Sequence, residues 1–192
     1  MVDAAETDGT GEGVTLATNR VYTGRVISLD VDRVRFPNGS EGELEMVRHP
    51  GASAIVPFLS DPTGADPQVL LLRQYRYAAL GYLYEVPAGR MDPGETPDQC
   101  AHRELREETG CTAERMQHMT TVYTTPGFTD EVIHLYMADG LTQAGAAELE
   151  ADEFVEPQTF TLSRALTMVQ SGEIRDAKTA LSLLYAAGFL AA

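Results

Sequence analysis

Apolar and polar residues alternate along residues 20–49, the period-2 pattern of half-buried strands. Pro37-Asn38-Gly39-Ser40 interrupts the alternation between RVRF and ELEMV as a hairpin turn, so an antiparallel layer is predicted there. Apolar runs over 52–59 and 68–77, separated by the polar loop DPTGADP, predict two further strands, and a short strand ends at Val86. The period then lengthens, and a helix is predicted over 97–109. Strands near 116–123 and 132–138 follow. After a loop rich in Ala, Gly and Glu come one more strand over 157–162 and helices over 163–170 and 177–189. This order predicts an α/β fold, an α/β/α sandwich with a mixed sheet, without internal repeat or second independent domain. Residues 1–15, MVDAAETDGTGEGVT, have neither a basic start nor an apolar run and are expected to form a disordered tail.

The predicted helix concentrates chemistry. Thr96, Pro97, Asp98 and Gln99 supply an N-cap hydroxyl, a proline at the first helical position, an acid in the first turn and a capping-box partner. Gly110 is a C-terminal stop, and Ala101 and Leu105 form a small apolar seam one turn apart. At about 100° per residue, Glu104, Glu107 and Glu108 fall within about a third of the circumference. Each close pair of like charges costs roughly 0.2–0.5 kcal/mol in an isolated helix, which Arg103 and Arg106 offset only in part. Local rule-breaking of this kind marks function, and a bound divalent cation is the compensation it suggests. Oxygen-only ligands favour a hard ion, Mg²⁺ or alternatively Mn²⁺, which keeps several waters and takes substrate phosphate oxygens.

Composition narrows the class. A chain of 192 residues with 43% hydrophobic content can bury one sizeable core. The formal charge of -15, with Lys178 as the only lysine, argues against a nucleic-acid partner, which would need a basic stripe. Cys100 and Cys111, eleven residues apart, make no disulfide framework and fit a reducing, cytoplasmic compartment. Cys100 reads as a small packing residue, because thiolate suits zinc rather than an oxygen-rich site. The most apolar stretch, 181–192, is twelve residues and too short to span a bilayer, so no membrane association is expected.

The segment GRMDPGETPDQCAHRELREETGC (89–111) resembles the Nudix box at Gly89, Glu95, Arg103, Glu104, Leu105, Glu107, Glu108 and Gly110. Cys111 departs from it, a thiol where an aliphatic residue is commoner. Three flanking elements, Arg73-Gln74-Tyr75-Arg76, Glu85-Val86-Pro87-Ala88-Gly89 and Pro126, are similar to those of the ADP-ribose pyrophosphatase group within that family. The downstream aromatic-proline motif of NADH pyrophosphatases and the upstream element of the coenzyme A group are missing. The layer before residue 50 resembles the dimerisation sheet of the ADP-ribose pyrophosphatase group, so the organisation implied is tail 1–15, N-terminal β layer 16–50 and Nudix hydrolase domain 51–192, assembled as a homodimer.

The resemblance implies Mg²⁺-dependent hydrolysis of ADP-ribose to AMP and ribose 5-phosphate. Another nucleoside diphosphate sugar such as GDP-mannose, or a noncatalytic nucleotide sensor, stays open. It further implies that Glu104, Glu108 and the backbone carbonyl of Ala88 bind metal, with Glu107 a further ligand or a water-orienting group. Arg103 would hold the glutamates in place, and Glu95 would steady the loop entering the helix. Within the acidic stretch 150–156, Glu153 is expected to be the base or an extra metal ligand. Glu131, the competing candidate, is assigned to the terminal ribose, and Gly127 to a close backbone approach. Forked contacts with phosphate are expected of Arg76, while Arg48 would help hold the substrate and Arg90 would line the pocket. His49, His102, His118 and His134 show no metal-ligand spacing and are left as structural.

Overall fold

The computed structural model describes residues 13–149 and 154–190. The described residues divide into two compact units, one holding those up to His49 together with Tyr123–Glu131, the other Pro50–Val122 and those from Val132 onward.

The first unit is a three-stranded antiparallel sheet of β1 (Val14–Thr23), β2 (Ser28–Arg35) and β3 (Glu41–Arg48), in that order. The expected turn is present: Gly39 has φ +85°, and the Asn38 side chain accepts from Ser40 N at 3.0 Å. Segment 123–131 lies along β3, with Val47 N donating to Phe128 O at 2.8 Å. Two boundaries differ from expectation. The alternation does not run on from residue 20, because Gly24 to Ile27 form a tight connection between β1 and β2. Val14 and Thr15, given to the tail, instead pair with Arg35 and Val34. A polar, glycine-rich window reads as tail, but ladder hydrogen bonds to β2 supply what its composition lacks. Residues 1–12 lie outside the described residues.

The second unit is built on β4 (Ala52–Pro57), whose six residues are all buried. It pairs in parallel with β10 (Val132–Asp139) and antiparallel with β7 (Ala88–Arg90), and β9 (Arg115–Tyr123) completes the order β7-β4-β10-β9. A second sheet, β12-β5-β6, is made of β12 (Val155–Thr161), β5 (Gln68–Arg76) and β6 (Gly81–Glu85). Two short strands, β8 (Cys111–Thr112) and β11 (Thr142–Gln143), pair separately. Such two- and three-residue strands carry no periodicity to read, and β7, β8 and β11 went unforeseen. Tyr77, expected to end β5, opens a 3-10 turn that Leu80 closes at φ +50°.

Helices cover both faces of β4, as the expected three layers require. Ala54 and Val56 pack with Met168 of α2 (Leu162–Ser171) and with Leu183 and Ala186 of α3 (Ala177–Leu190). Ile55 points the other way, against Ala101 and Leu105 of α1 (Pro97–Thr109). Strand alternation thus sends successive residues into two cores, which is why this strand reads as a continuous apolar run. No described helix is long and apolar enough to cross a membrane.

Candidate active site

Helix α1 is positioned from both ends. The Thr96 hydroxyl accepts from Gln99 N at 3.3 Å while the Gln99 side chain accepts from Thr96 N at 2.9 Å, closing the capping box. At the other end Gly110 takes a left-handed φ of +71°, and its N–H donates to Arg106 O. Ser53 of β4 donates its hydroxyl to Pro97 O at 2.7 Å, pinning the first turn to the central strand.

These anchors turn Glu104 and Glu108 inward, and both are buried, at 8% and 3% exposure. The Ala88 N–H donates to Glu108 Oε2 at 2.9 Å, joining the helix to β7. Glu104 lies over Gly89: a Cβ there would stand 1.9 Å from Glu104 Oε1, so only glycine leaves room for the carboxylate. Glu107 is more exposed and pairs with Arg103 at 3.0 Å.

Arg103 holds this cluster together. Its Nε and Nη2 donate to the two oxygens of Glu95 at 2.8 and 2.9 Å, Nη1 to Glu104 at 2.6 Å and Glu107 at 3.0 Å, and Nη2 also to the carbonyl of Arg90 at 2.8 Å. Hydrogen bonds to Glu95 are the largest cause holding the guanidinium charged, well above its ordinary pKa, and in return Arg103 draws the Glu95 carboxyl below the usual range. Glu95 also accepts from Asp92 N at 2.9 Å and so fixes the loop entering α1, the steadying role expected of it.

The donor chemistry fits a hard divalent cation. Two buried carboxylates and the Ala88–Gly89 backbone offer oxygen ligands, and the glycine keeps the space above β7 open to Glu104. Among the described residues no three acidic, histidine or cysteine side chains form a closed cage. Mg²⁺ needs none, since it is ordinarily held by one or two carboxylates with water and substrate phosphate completing the shell.

Cys100 is buried on the same helix, its Sγ 3.4 Å from Gly89 O. Burial, followed by the nearby charge of Glu104, pushes its thiol up to about 11. Its thiolate fraction at pH 8 is therefore on the order of one in a thousand. Folded protein treated with iodoacetamide at pH 8 is expected to stay unmodified at Cys100 by mass spectrometry over times that alkylate a free thiol fully. Rapid labelling at Cys100 would contradict this environment.

A second charged cluster was not foreseen. Glu85, the last residue of β6 and only 1% exposed, accepts from Arg76 Nε and Nη2 at 2.8 Å each and pairs with Lys178. Burial, the largest influence, acts to raise the Glu85 pKa, but the hydrogen bond from Arg76 and the charge of Lys178 outweigh it and keep the carboxyl below its ordinary value. Lys178 also pairs with Asp176 at 3.0 Å. The signal available in sequence was the single lysine beside Asp176 and Thr179, a helix-capping pattern with an unexplained charge.

The remaining expected residues are spread over both units. In the second, Arg76 is bound to Glu85 as described, and Arg90 lies on β7, its carbonyl taken by Arg103. In the first, Glu131 accepts from the Thr124 hydroxyl at 2.7 Å and lies 3.4 Å from His49 Nδ1. Gly127 is exposed, with open space where a Cβ would be. Arg48, expected to help hold the substrate, is tied to three carboxylates within the first unit: Nε donates to Asp30 at 3.0 Å, Nη1 to Asp130 at 3.2 Å, and Nη2 to Asp32. Asp30 and Asp32 are buried and need this cation. His118 and His134 share the Thr121 hydroxyl at 2.9 Å each. Glu153 lies outside the described residues.

Fold and site together define an α/β protein with a glycine-started loop and a carboxylate-bearing helix that follows it. Residues 49–181 match the NUDIX domain model, and the chain belongs to that family. It is 39% identical over 175 residues to an ADP-ribose pyrophosphatase of Bacillus subtilis (strain 168), with 91% of this chain and 92% of that one covered. It is 40% identical over 175 residues, with the same shares covered, to a methanol dehydrogenase activator of Bacillus methanolicus. A crystal structure described as an ADP compounds hydrolase has a TM-score of 0.79 at 20% identity, with 96% of this chain and 97% of that chain covered, a likeness of fold.

Proposed function

We propose that this chain hydrolyses ADP-ribose to AMP and ribose 5-phosphate with Mg²⁺, Mn²⁺ being an alternative ion. The observation that carries the reading is the buried pair Glu104 and Glu108, held over Gly89 and on the Ala88 N–H, in a chain 39% identical to an ADP-ribose pyrophosphatase. Glu104, Glu108 and the Ala88 carbonyl hold the ion, with Glu107 and Glu153 completing the acidic set. When bound, the ion neutralises diphosphate charge and makes water more acidic. Glu153 orients the attacking water and takes its proton. One P–O bond of the diphosphate bridge breaks as water oxygen joins phosphorus. Arg76 binds a phosphate oxygen, Arg90 lines the pocket, and Gly127 and Glu131 serve the terminal ribose. The activity is assigned to the cytoplasm, with a small-molecule partner only, neither nucleic acid nor membrane.

Assembly as a homodimer through the N-terminal sheet belongs to the same reading. Leu16, Val21 and Tyr22 on β1 and Leu44 on β3 are exposed apolar side chains of the kind that a second copy would cover.

The test is product analysis with Mg²⁺ and equal concentrations of ADP-ribose, GDP-mannose, UDP-glucose, NADH and diadenosine polyphosphates. Preferential release of AMP and ribose 5-phosphate is expected. Preference for another compound would change the substrate, and silence with tight nucleotide binding would make the protein a sensor. For the base, Glu153→Gln is expected to lower kcat about a hundredfold with its melting temperature unchanged. Full turnover in Glu153→Gln together with a loss in Glu131→Gln would exchange the two roles.

A further inference from the structure

The first turn of α3 reaches the site from far along the chain. Asp176 caps it, accepting from Thr179 N at 2.9 Å and from the Thr179 hydroxyl at 2.6 Å. The fully buried Thr179 hydroxyl in turn accepts from Val86 N at 2.9 Å. Lys178, between them, places its ammonium on both Asp176 and Glu85. One helical turn therefore holds two successive residues, Glu85 by its carboxylate and Val86 by its backbone. Two residues further on, the Ala88 N–H holds Glu108.

Glu85 is shared by two cations. Arg76 gives it the Nε–Nη2 edge of its guanidinium, and Nη1 makes no hydrogen bond or ion pair with a described residue. The Arg76 side chain is partly exposed, and the charge of Glu85 and, less strongly, that of Glu108 favour its charged form. A guanidinium bound along one edge has a fixed plane, and the remaining nitrogen points in one direction. Glu85, Asp176, Arg76 and Lys178 are together neutral. Without Lys178 the carboxylates outnumber the cations, so the field of Glu85 falls wholly on Arg76 and weakens its pull on any added anion.

We propose that Lys178 is a positioning residue for diphosphate binding: by sharing Glu85 with Arg76 it offsets part of that carboxylate's charge, so that the guanidinium held along Glu85 keeps its pull on a phosphate oxygen through Nη1. This rests on the reading of the site as one for a diphosphate substrate. Lys178 itself does not touch the substrate; it acts through Arg76.

That dependence is what a double-mutant cycle measures. Wild type, Lys178→Met, Arg76→Ala and the double variant are compared in Mg²⁺-dependent ADP-ribose hydrolysis. The same proteins are compared in calorimetric binding of inorganic pyrophosphate in metal-free buffer. Lys178→Met is expected to lower kcat/KM about tenfold, mainly through KM, and to weaken pyrophosphate binding by a similar factor. In the Arg76→Ala background it is expected to change neither. An equal loss in both backgrounds would make Lys178 merely structural and overturn the inference, as would unchanged values in Lys178→Met. Wild type that leaves ADP-ribose intact would defeat the substrate reading alone, and the pyrophosphate cycle would then decide the role of Lys178; wild type that binds no pyrophosphate overturns it. If Lys178→Met does not fold, Lys178→Gln, which keeps a hydrogen-bond donor and lacks the charge, replaces it.

Discussion

Replacing Glu108 by glutamine is expected to lower Mg²⁺-dependent turnover on the order of 10³-fold without lowering the melting temperature in EDTA. The two halves have separate causes. A glutamine side chain has nearly the same volume, and its amide oxygen can still accept the Ala88 N–H that Glu108 Oε2 accepts at 2.9 Å, so the joint between α1 and β7 survives. What disappears is a buried negative charge one helical turn from Glu104, and like charges at that spacing repel in the absence of a cation. An ion held by Glu104 and Glu108 would supply several kcal/mol of charge stabilisation in the transition state, and each 1.36 kcal/mol is about tenfold in rate. Stopped assays across a Mg²⁺ titration, with thermal melts in EDTA, read both quantities. Wild-type turnover in Glu108→Gln would place the metal chemistry elsewhere.

Arg103→Ala carries the largest expected effect on stability. Its guanidinium serves Glu95, Glu104, Glu107 and the Arg90 carbonyl at 2.6–3.0 Å, and the Glu95 and Glu104 side chains are only 12% and 11% exposed. Removing one partner of such a buried arrangement leaves uncompensated charge and costs about 3–5 kcal/mol. For a chain of this length that corresponds to a fall of roughly 10 °C in Tm. Mg²⁺ is expected to return part of the loss, because a ligand that binds only the folded state stabilises it by an amount that grows with the logarithm of its concentration over Kd. Arg103→Lys should fall between, keeping the charge and losing the fork. Melting curves with EDTA and with saturating Mg²⁺ settle the matter. A melting point unchanged by Arg103→Ala would remove Arg103 from its place as the central tie of the site.

The helix and its glutamates could be read in advance because everything that makes them is local. The Thr96–Gln99 box, Pro97, Gly110 and the spacing of Glu104 and Glu108 all act within one short segment, where sequence separation and spatial separation are nearly the same. The steadying role of Glu95 was also legible, since Arg103 is only eight residues away. The partners of Arg48 were not legible, for the opposite reason. Its sequence neighbours say nothing of Asp30, Asp32 and Asp130, which reach it through strand pairing and through a segment 82 residues distant. The short strands β7, β8 and β11 escaped because pairing partners, rather than a repeating pattern, make them strands.

The amino-acid sequence by itself determined the three-layer α/β plan, the capped helix α1 and the acidic face it carries, because periodicity, capping and turn chemistry operate over a few residues. Only the tertiary structure decided which charges meet. Whether Arg76 stands free or lies along Glu85, and whether the one lysine sits at the surface or at that same carboxylate 93 residues away, depends on where β6 and α3 come together. Electrostatic partners are chosen by distance in space, and for residues on separate elements that distance is set by packing of the core between them.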